Sequence, residues 1–156
     1  MAAAGRWKMY EKAKVHLADG TFNLSTNTFK MTLHTSSSNA NTLSGSEKFA
    51  DITNELTTAN GYTAGGVVLT GVTWTNTAGT ITFTSGTATW NATGSGITAR
   101  FGLIRASGTL GGLVDPILGV FLTDATPADI TVAAGNSLTI TMNASGVFTL
   151  SGMVTD

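Results

Sequence analysis

Short runs of β-branched and aromatic residues, broken by Gly, Asn and Ser, recur along this 156-residue chain from Thr28 onward, and that rhythm leaves few folds open. Threonine is the commonest residue, with 29 copies. Its branched side chain suits the wet face of a strand, while Gly and Asn suit the turns between strands. Runs this short predict an all-β domain, an antiparallel β-sandwich (jelly-roll-like or immunoglobulin-like) of about eight or nine strands. Phe29–Thr35 alternates apolar and polar residues and reads as a half-buried strand with His34 on its polar face. Val67–Thr75, a run through Ile81 and Phe83, and another through Ala88 and Trp90 follow. Then come Ile97–Ala106, Ile117–Leu122, Ile130–Val132, Leu138–Met142 and Val147–Leu150. Asn143-Ala144-Ser145-Gly146 is read as a tight hairpin turn between the last two. Phe49, Ile52 and Leu56 fall at helical spacing and predict a short helical turn.

Composition narrows what such a domain could do. The length supports one hydrophobic core without covalent staples. Charged residues are only 11% of the chain and hydrophobic ones 42%, the reverse of a disordered composition. Eight basic against nine acidic residues argue against nucleic acid as a partner, since phosphate binding needs clustered, uncompensated positive charge. No apolar run is long enough to span a membrane, and we expect no membrane partner. The absence of cysteine removes disulfides, thiolate metal sites and cysteine nucleophiles together. The first residues hold no uninterrupted apolar core, so we expect no secretory leader and synthesis in a cytosol.

The first twenty residues differ from the rest, and we divide the chain into a helical segment or docking arm (1–20) and a single β-sandwich domain (21–156). From Gly5 to Leu17, Trp7, Tyr10, Ala13 and Leu17 recur at spacings of three, three and four, which predicts one amphipathic helix ended by Gly20. Half of the chain's basic residues, Arg6, Lys8, Lys12 and Lys14, lie between Gly5 and Leu17 against Glu11 alone. The apolar stripe could cover the end of its own sandwich or dock on a partner. The lopsided charge favours an acidic partner surface, with Arg6, Trp7, Lys8, Tyr10, Lys12, Lys14 and Leu17 as contacts. On that view, removing residues 1–18 leaves a folded β domain.

Residues with reactive chemistry do not assemble into a motif. His16 and His34 are the only histidines, and neither stands in a metal-ligand spacing, so both read as surface or capping residues and no metal or other cofactor is expected. Gly94-Ser95-Gly96 and Ser107-Gly108 lack the frame of a serine nucleophile. Asp115, Asp124 and Asp129 stand in turn contexts, where Asp caps backbone amides. Gly61-Tyr62-Thr63-Ala64-Gly65-Gly66 lacks the Lys of a phosphate loop, and its glycines read as positive-φ positions feeding a strand. The Asn-x-Ser/Thr triplets at Asn23, Asn91 and Asn143 are ascribed to composition. Trp74 and Trp90 fall on the apolar alternation and read as core, leaving few aromatics to stack on a sugar. Arg100 and Arg105 lie on an apolar strand, where each is either an interface contact or paired with a carboxylate of the same domain. No enzyme is expected.

Several stretches together resemble a group of small tailed-bacteriophage virion proteins. These are Gly5-Arg6-Trp7-Lys8-Met9-Tyr10, the strand near Thr28–Thr35, Asp51-Ile52-Thr53-Asn54-Glu55-Leu56 and, most specifically, Asn60-Gly61-Tyr62-Thr63-Ala64-Gly65-Gly66. Val72-Thr73-Trp74, Ile97-Thr98-Ala99-Arg100-Phe101, Gly135-Asn136-Ser137-Leu138-Thr139-Ile140 and Asn143-Ala144-Ser145-Gly146 extend the similarity over nearly the whole chain. The resemblance implies a non-enzymatic virion structural protein. Within that class we expect a capsid decoration (cement) protein on the outside of the head shell. Its partners would be the major capsid protein or other virion subunits, and its own contacts homo-oligomeric, with a trimer as the natural symmetry. A neck, tail or short-fibre protein is the first alternative, and a carbohydrate-binding attachment module the second.

Overall fold

The computed structural model describes residues 4–151. Within them the chain forms an all-β domain with one short helix near its start, every strand pair being antiparallel. The central sheet is built from β1 (Lys8–Met9), β2 (Phe29–His34), β3 (Val67–Val68), β8 (Phe101–Ala106) and β11 (Ile117–Leu122), in the order β1-β11-β8-β2-β3. A second sheet joins β4 (Thr73–Thr77), β5 (Thr80–Thr84) and β14 (Phe148–Leu150), with β5 in the middle. Three two-stranded ribbons complete the domain. They pair β6 (Ala88–Asn91) with β13 (Ser137–Ile140), β7 (Ile97–Ala99) with β12 (Ile130–Val132), and β9 (Thr109–Leu110) with β10 (Leu113–Val114). The helix α1 spans Glu11–Ala18, and a single 3₁₀ turn covers Phe49–Asp51, where the Phe49/Ile52/Leu56 spacing predicts helical structure.

The fourteen strands among the described residues exceed the eight or nine expected because two long runs are divided and three two-residue strands, β1, β9 and β10, lie outside the expected runs. Val67–Thr75 breaks at Gly71, whose φ of 59° turns the chain between β3 and β4. Ile97–Ala106 bends at Arg100 and changes partners there. Before it, β7 pairs with β12; after it, β8 pairs with β2 and β11. Such a strand makes a corner between sheets while leaving its hydrophobic pattern unbroken. Asn143–Gly146 does form a tight turn, with the Gly146 N–H donating to the Asn143 carbonyl at 2.8 Å. It closes no hairpin, because β13 runs to β6 and β14 to β5.

β2 and β8 hold the middle of the central sheet, and β8 is buried along its whole length. Phe29, Met31, Leu33, Leu103, Ile104, Ile117 and Leu118 are completely enclosed. Burial on both sides means that β2 is not the half-wet strand its alternation predicts. Thr32 and His34 are as inaccessible as their apolar neighbours. His34 is therefore a core residue, not a surface one. A sheet covered on both faces erases the difference between the two sides of an alternating strand.

Candidate partner-binding surface

Residues 4–18 enter the molecule as an edge strand followed by a short helix, not as the single helix that the Trp7/Tyr10/Ala13/Leu17 spacing predicts. The Gly5 N–H donates to the Leu122 carbonyl at 2.9 Å, and Lys8 and Met9 stand opposite Val120 and Gly119. Over this stretch Arg6 and Lys8 are exposed while Trp7 and Met9 are half-buried, a period of two. Trp7 lies against its cross-strand neighbour Phe121, ring centroids 4.4 Å apart. The polar–apolar alternation Arg6-Trp7-Lys8-Met9 was the available signal for a strand, and the helical spacing obscured it.

Tyr10 is the residue at the helix start, with extended φ −64° and ψ 147°, and α1 follows with eight residues. A helix this short has little stability of its own and forms because it packs. Tyr10 and Ala13 are fully buried, and the Tyr10 hydroxyl donates to the Ala40 carbonyl at 2.5 Å; burial raises its pKa. His16, also buried, lies 2.9 Å from Glu47 through Nε2 and 3.5 Å from Asp19 through Nδ1. Of the two placements open for the apolar stripe, the structure has the chain's own core. Tyr10 is thus unavailable to a partner, and Leu17 is half-buried. Residues 1–3 of the proposed arm lie outside the described residues.

The basic residues of the segment remain outside. Arg6, Lys8, Lys12 and Lys14 are all exposed, and among the described residues none has a carboxylate within salt-bridge distance. Lys8 Nζ donates to Asn41 Oδ1 at 3.1 Å. Val15, 55% exposed, adds an apolar spot to the outward side of α1.

The acidic residues are disposed differently. Asp51 accepts the Glu47 and Lys48 backbone amides, which lower its pKa, and Asp19 accepts that of Thr21 with the same effect. Glu55 accepts the Tyr62 hydroxyl and the Gly65 amide, each at 2.6 Å. Asp124 accepts from Thr126, and Asp115 and Asp129 take the two arginines. Among the described acidic residues only Glu11 makes no such contact.

Arg100 and Arg105 each find a carboxylate within the domain. Arg100 Nε lies 2.7 Å from Asp129 Oδ1 in a partly exposed pair. Arg105 is only 4% exposed. Its guanidinium lies 2.9 Å from Asp115, donates to the carbonyls of Gly65 and Ala106, and sits 4.5 Å above the Phe49 ring. Enclosed in this way it cannot touch another molecule, and its role is to tie the Asn60–Gly66 loop to β8.

That loop is held by polar contacts that no local sequence pattern marks. The Tyr62 hydroxyl donates to Glu55 while accepting the Leu33 N–H at 3.2 Å; burial and the carboxylate beside it both raise its pKa. Gly61, Gly65 and Gly66 all have positive φ, as the sequence predicts. His34 accepts from the Thr32 hydroxyl through Nε2 at 2.9 Å, and its Nδ1 faces the Thr53 carbonyl at 3.2 Å. A carbonyl only accepts, so Nδ1 carries the proton of a neutral ring. The cluster is scaffolding that holds the loop against β2 and β8. Among the described residues no three His, Asp or Glu side chains converge as a metal site requires, and no helix is long and apolar enough to cross a membrane.

Comparison with family models, with curated proteins and with solved structures gives no match to this chain.

Proposed function

We propose that this chain is a non-enzymatic structural subunit of a tailed-bacteriophage virion, made in the host cytoplasm, and that it works as a capsid decoration protein on the head shell. The sequence resemblance supports the virion class. The observation that carries the mode of action is the segregation of charge: the described acids other than Glu11 held by contacts within the domain, Arg6, Lys8, Lys12 and Lys14 turned outward beside an edge strand. Such a face suits an acidic surface on a capsid subunit and steers its approach in a salt-dependent manner. A decoration protein needs shape, many copies and a durable fold more than reactive groups, and the enclosed polar network serves durability. Homo-oligomeric contacts, a trimer on a threefold axis being the simplest, belong to the same proposal.

Immunogold labelling and copy-number densitometry of purified particles test it. Label spread over the head, with a copy number approaching that of the shell subunit, is the expected result. Label confined to the neck or tail, with a copy number matching one ring, would transfer the protein to the neck, tail or fibre. The carbohydrate reading has little support, because Tyr10, Tyr62 and Trp90 are buried and Trp74 packs among Phe83 and Phe148.

A further inference from the structure

We infer that the outer edge of β1 is a strand-addition site for an extended segment of a partner in which acidic residues alternate with apolar ones. This deepens the proposal above by stating how the basic face is used. β1 ends the central sheet, with β11 on one side and, among the described residues, no further strand on the other. The Tyr10 N–H donates to Leu118 across the ladder, and Lys8 and Met9 stand opposite Val120 and Gly119. In an antiparallel ladder successive residues turn their N–H and C=O groups to opposite sides, so those of Lys8 and Tyr10 face β11 and those of Met9 face outward. An unpaired edge of this kind is a ready template for another chain, and proteins that use it take affinity from main-chain bonds and specificity from alternate side chains.

The side chains set the chemistry of the guest. Arg6 and Lys8 stand exposed on one side of the strand; Trp7 and Met9 lie half-buried on the other. Beside them runs a cleft of about 770 Å³ lined by Arg6, Trp7, Phe121, Ile140, Val147 and Phe148. Neighbouring strands share the facing of their side chains, so a guest pairing with Met9 puts that residue's side chain over the Trp7 side. Its two neighbours then fall on the Arg6/Lys8 side, where carboxylates are matched and lysines repelled. Lys12 and Lys14 on the exposed side of α1 extend the attraction.

The test uses the full chain and synthetic capped peptides: one alternating Glu and Val, one alternating Lys and Val, and one with the Glu residues grouped at one end. We expect the alternating Glu/Val peptide to bind at low salt, with added hydrogen-exchange protection at the Met9 amide. The other two should bind at least about tenfold more weakly, since like charges across an interface are penalised and a grouped order loses the pairing. Met9→Pro removes the outward N–H while leaving the bonds to β11, because proline is tolerated on the free side of an edge strand. It should abolish binding without lowering the melting temperature by more than a few degrees. The double reversal Arg6→Glu with Lys8→Glu, both exposed sites, should transfer preference to the Lys/Val peptide. Equal binding of the grouped and alternating peptides, or binding unchanged in both variants, would overturn strand addition. So would a dimer of the free chain that Met9→Pro dissociates, since the occupant would then be a second copy. Peptide binding as expected, together with absence of the protein from particles, would instead overturn the virion assignment alone.

Discussion

The N-terminal segment and the Asn60–Gly66 loop are both polar, conspicuous stretches, and the molecule treats them in opposite ways. Around the loop every charge is answered from within: Glu55 by Tyr62 and the Gly65 amide, Arg105 by Asp115, Phe49 and two carbonyls. In the N-terminal segment the apolar half is answered from within, by Ala40, Phe121 and the core around Tyr10, while the basic half is left to solvent. A buried ion left without its partner costs several kcal/mol, whereas an exposed one costs almost nothing, so the two regions tolerate change very differently. The loop secures the fold. The segment belongs to the fold through its apolar side and is free to bind through its basic side.

The comparison is broken most directly by removing residues 1–18. The deletion takes away an edge strand and the fully buried Tyr10 and Ala13, and each large side chain withdrawn from a core removes roughly 1.5–3 kcal/mol. We expect no cooperative thermal transition, reversing the outcome the docking-arm view anticipates. A sharp melt by circular dichroism would show the segment to be detachable after all.

Next in size is Gly66→Ala. An added Cβ would lie 2.0 Å from the Met31 carbonyl oxygen, in backbone with φ +72°. The obstacle is a strand backbone, which cannot swing aside, so we expect a loss of more than about 3 kcal/mol in urea denaturation. A variant as stable as the parent would mean that the loop is not clamped against β2.

The two arginines sharpen the contrast within one short stretch of chain. Arg105→Ala takes a guanidinium only 4% exposed away from Asp115, itself 28% exposed, and from the Gly65 carbonyl, and should cost about 1–3 kcal/mol. Arg100→Ala breaks a pair that water already reaches, with side chains 23% and 37% exposed, and should cost about 0–1 kcal/mol. Equal losses would contradict the difference in burial.

How much of this was legible beforehand follows from which signals are local. Turn residues and apolar alternation mark strands locally, which is why the β-rich class and nearly every strand segment could be read. Partner choice is not local. Nothing in Ile97–Ala106 says that pairing changes at Arg100, and nothing in Phe29–His34 says that both faces are covered. His34 shows the consequence, because an alternating strand reads the same whether its polar side meets water or a second layer. At the N-terminus two periods overlapped, and the helical one concealed the strand at Lys8–Met9. The basic cluster was visible as composition, but its freedom from internal carboxylates is a fact of three dimensions.

A smaller effect should come from pH. His34 is neutral and enclosed, and burial lowers its pKa by more than the nearby Glu55 and the Thr53 carbonyl raise it. The unfolded chain takes up its proton near the ordinary histidine value of about 6.5, while the folded chain does so only at lower pH. Just below pH 6.5 the unfolded state therefore binds more protons, and stability falls as pH falls, by at most about 1.4 kcal/mol per pH unit. The loss ceases once the folded-state pKa is passed, and above about pH 6.5 the group contributes no slope. His34→Gln should flatten this part of the profile in denaturant titrations between pH 5 and 7. An unchanged slope would show that His34 does not carry it.

The smallest change in stability, and the most telling one, is expected from Lys12→Glu with Lys14→Glu. Both side chains are exposed on α1, and Lys12 is its second residue. The first turn of a helix carries partial positive charge, so a cation there is unfavourable and an anion favourable, by about 0.3–1 kcal/mol at an exposed site. Reversal at Lys12 should therefore raise the melting temperature slightly, by roughly 1–3 °C for a domain of this size. The same substitution removes half of the outward basic group and should weaken attachment to an acidic partner, with a shallower dependence on salt. Stability and binding thus move in opposite directions, which no purely structural role for these lysines produces. A variant that melts lower, or that binds particles or the Glu/Val peptide as tightly and with the same salt dependence as the parent, would show that the lysines serve the domain itself. The asymmetry between the two regions would then be one of position only.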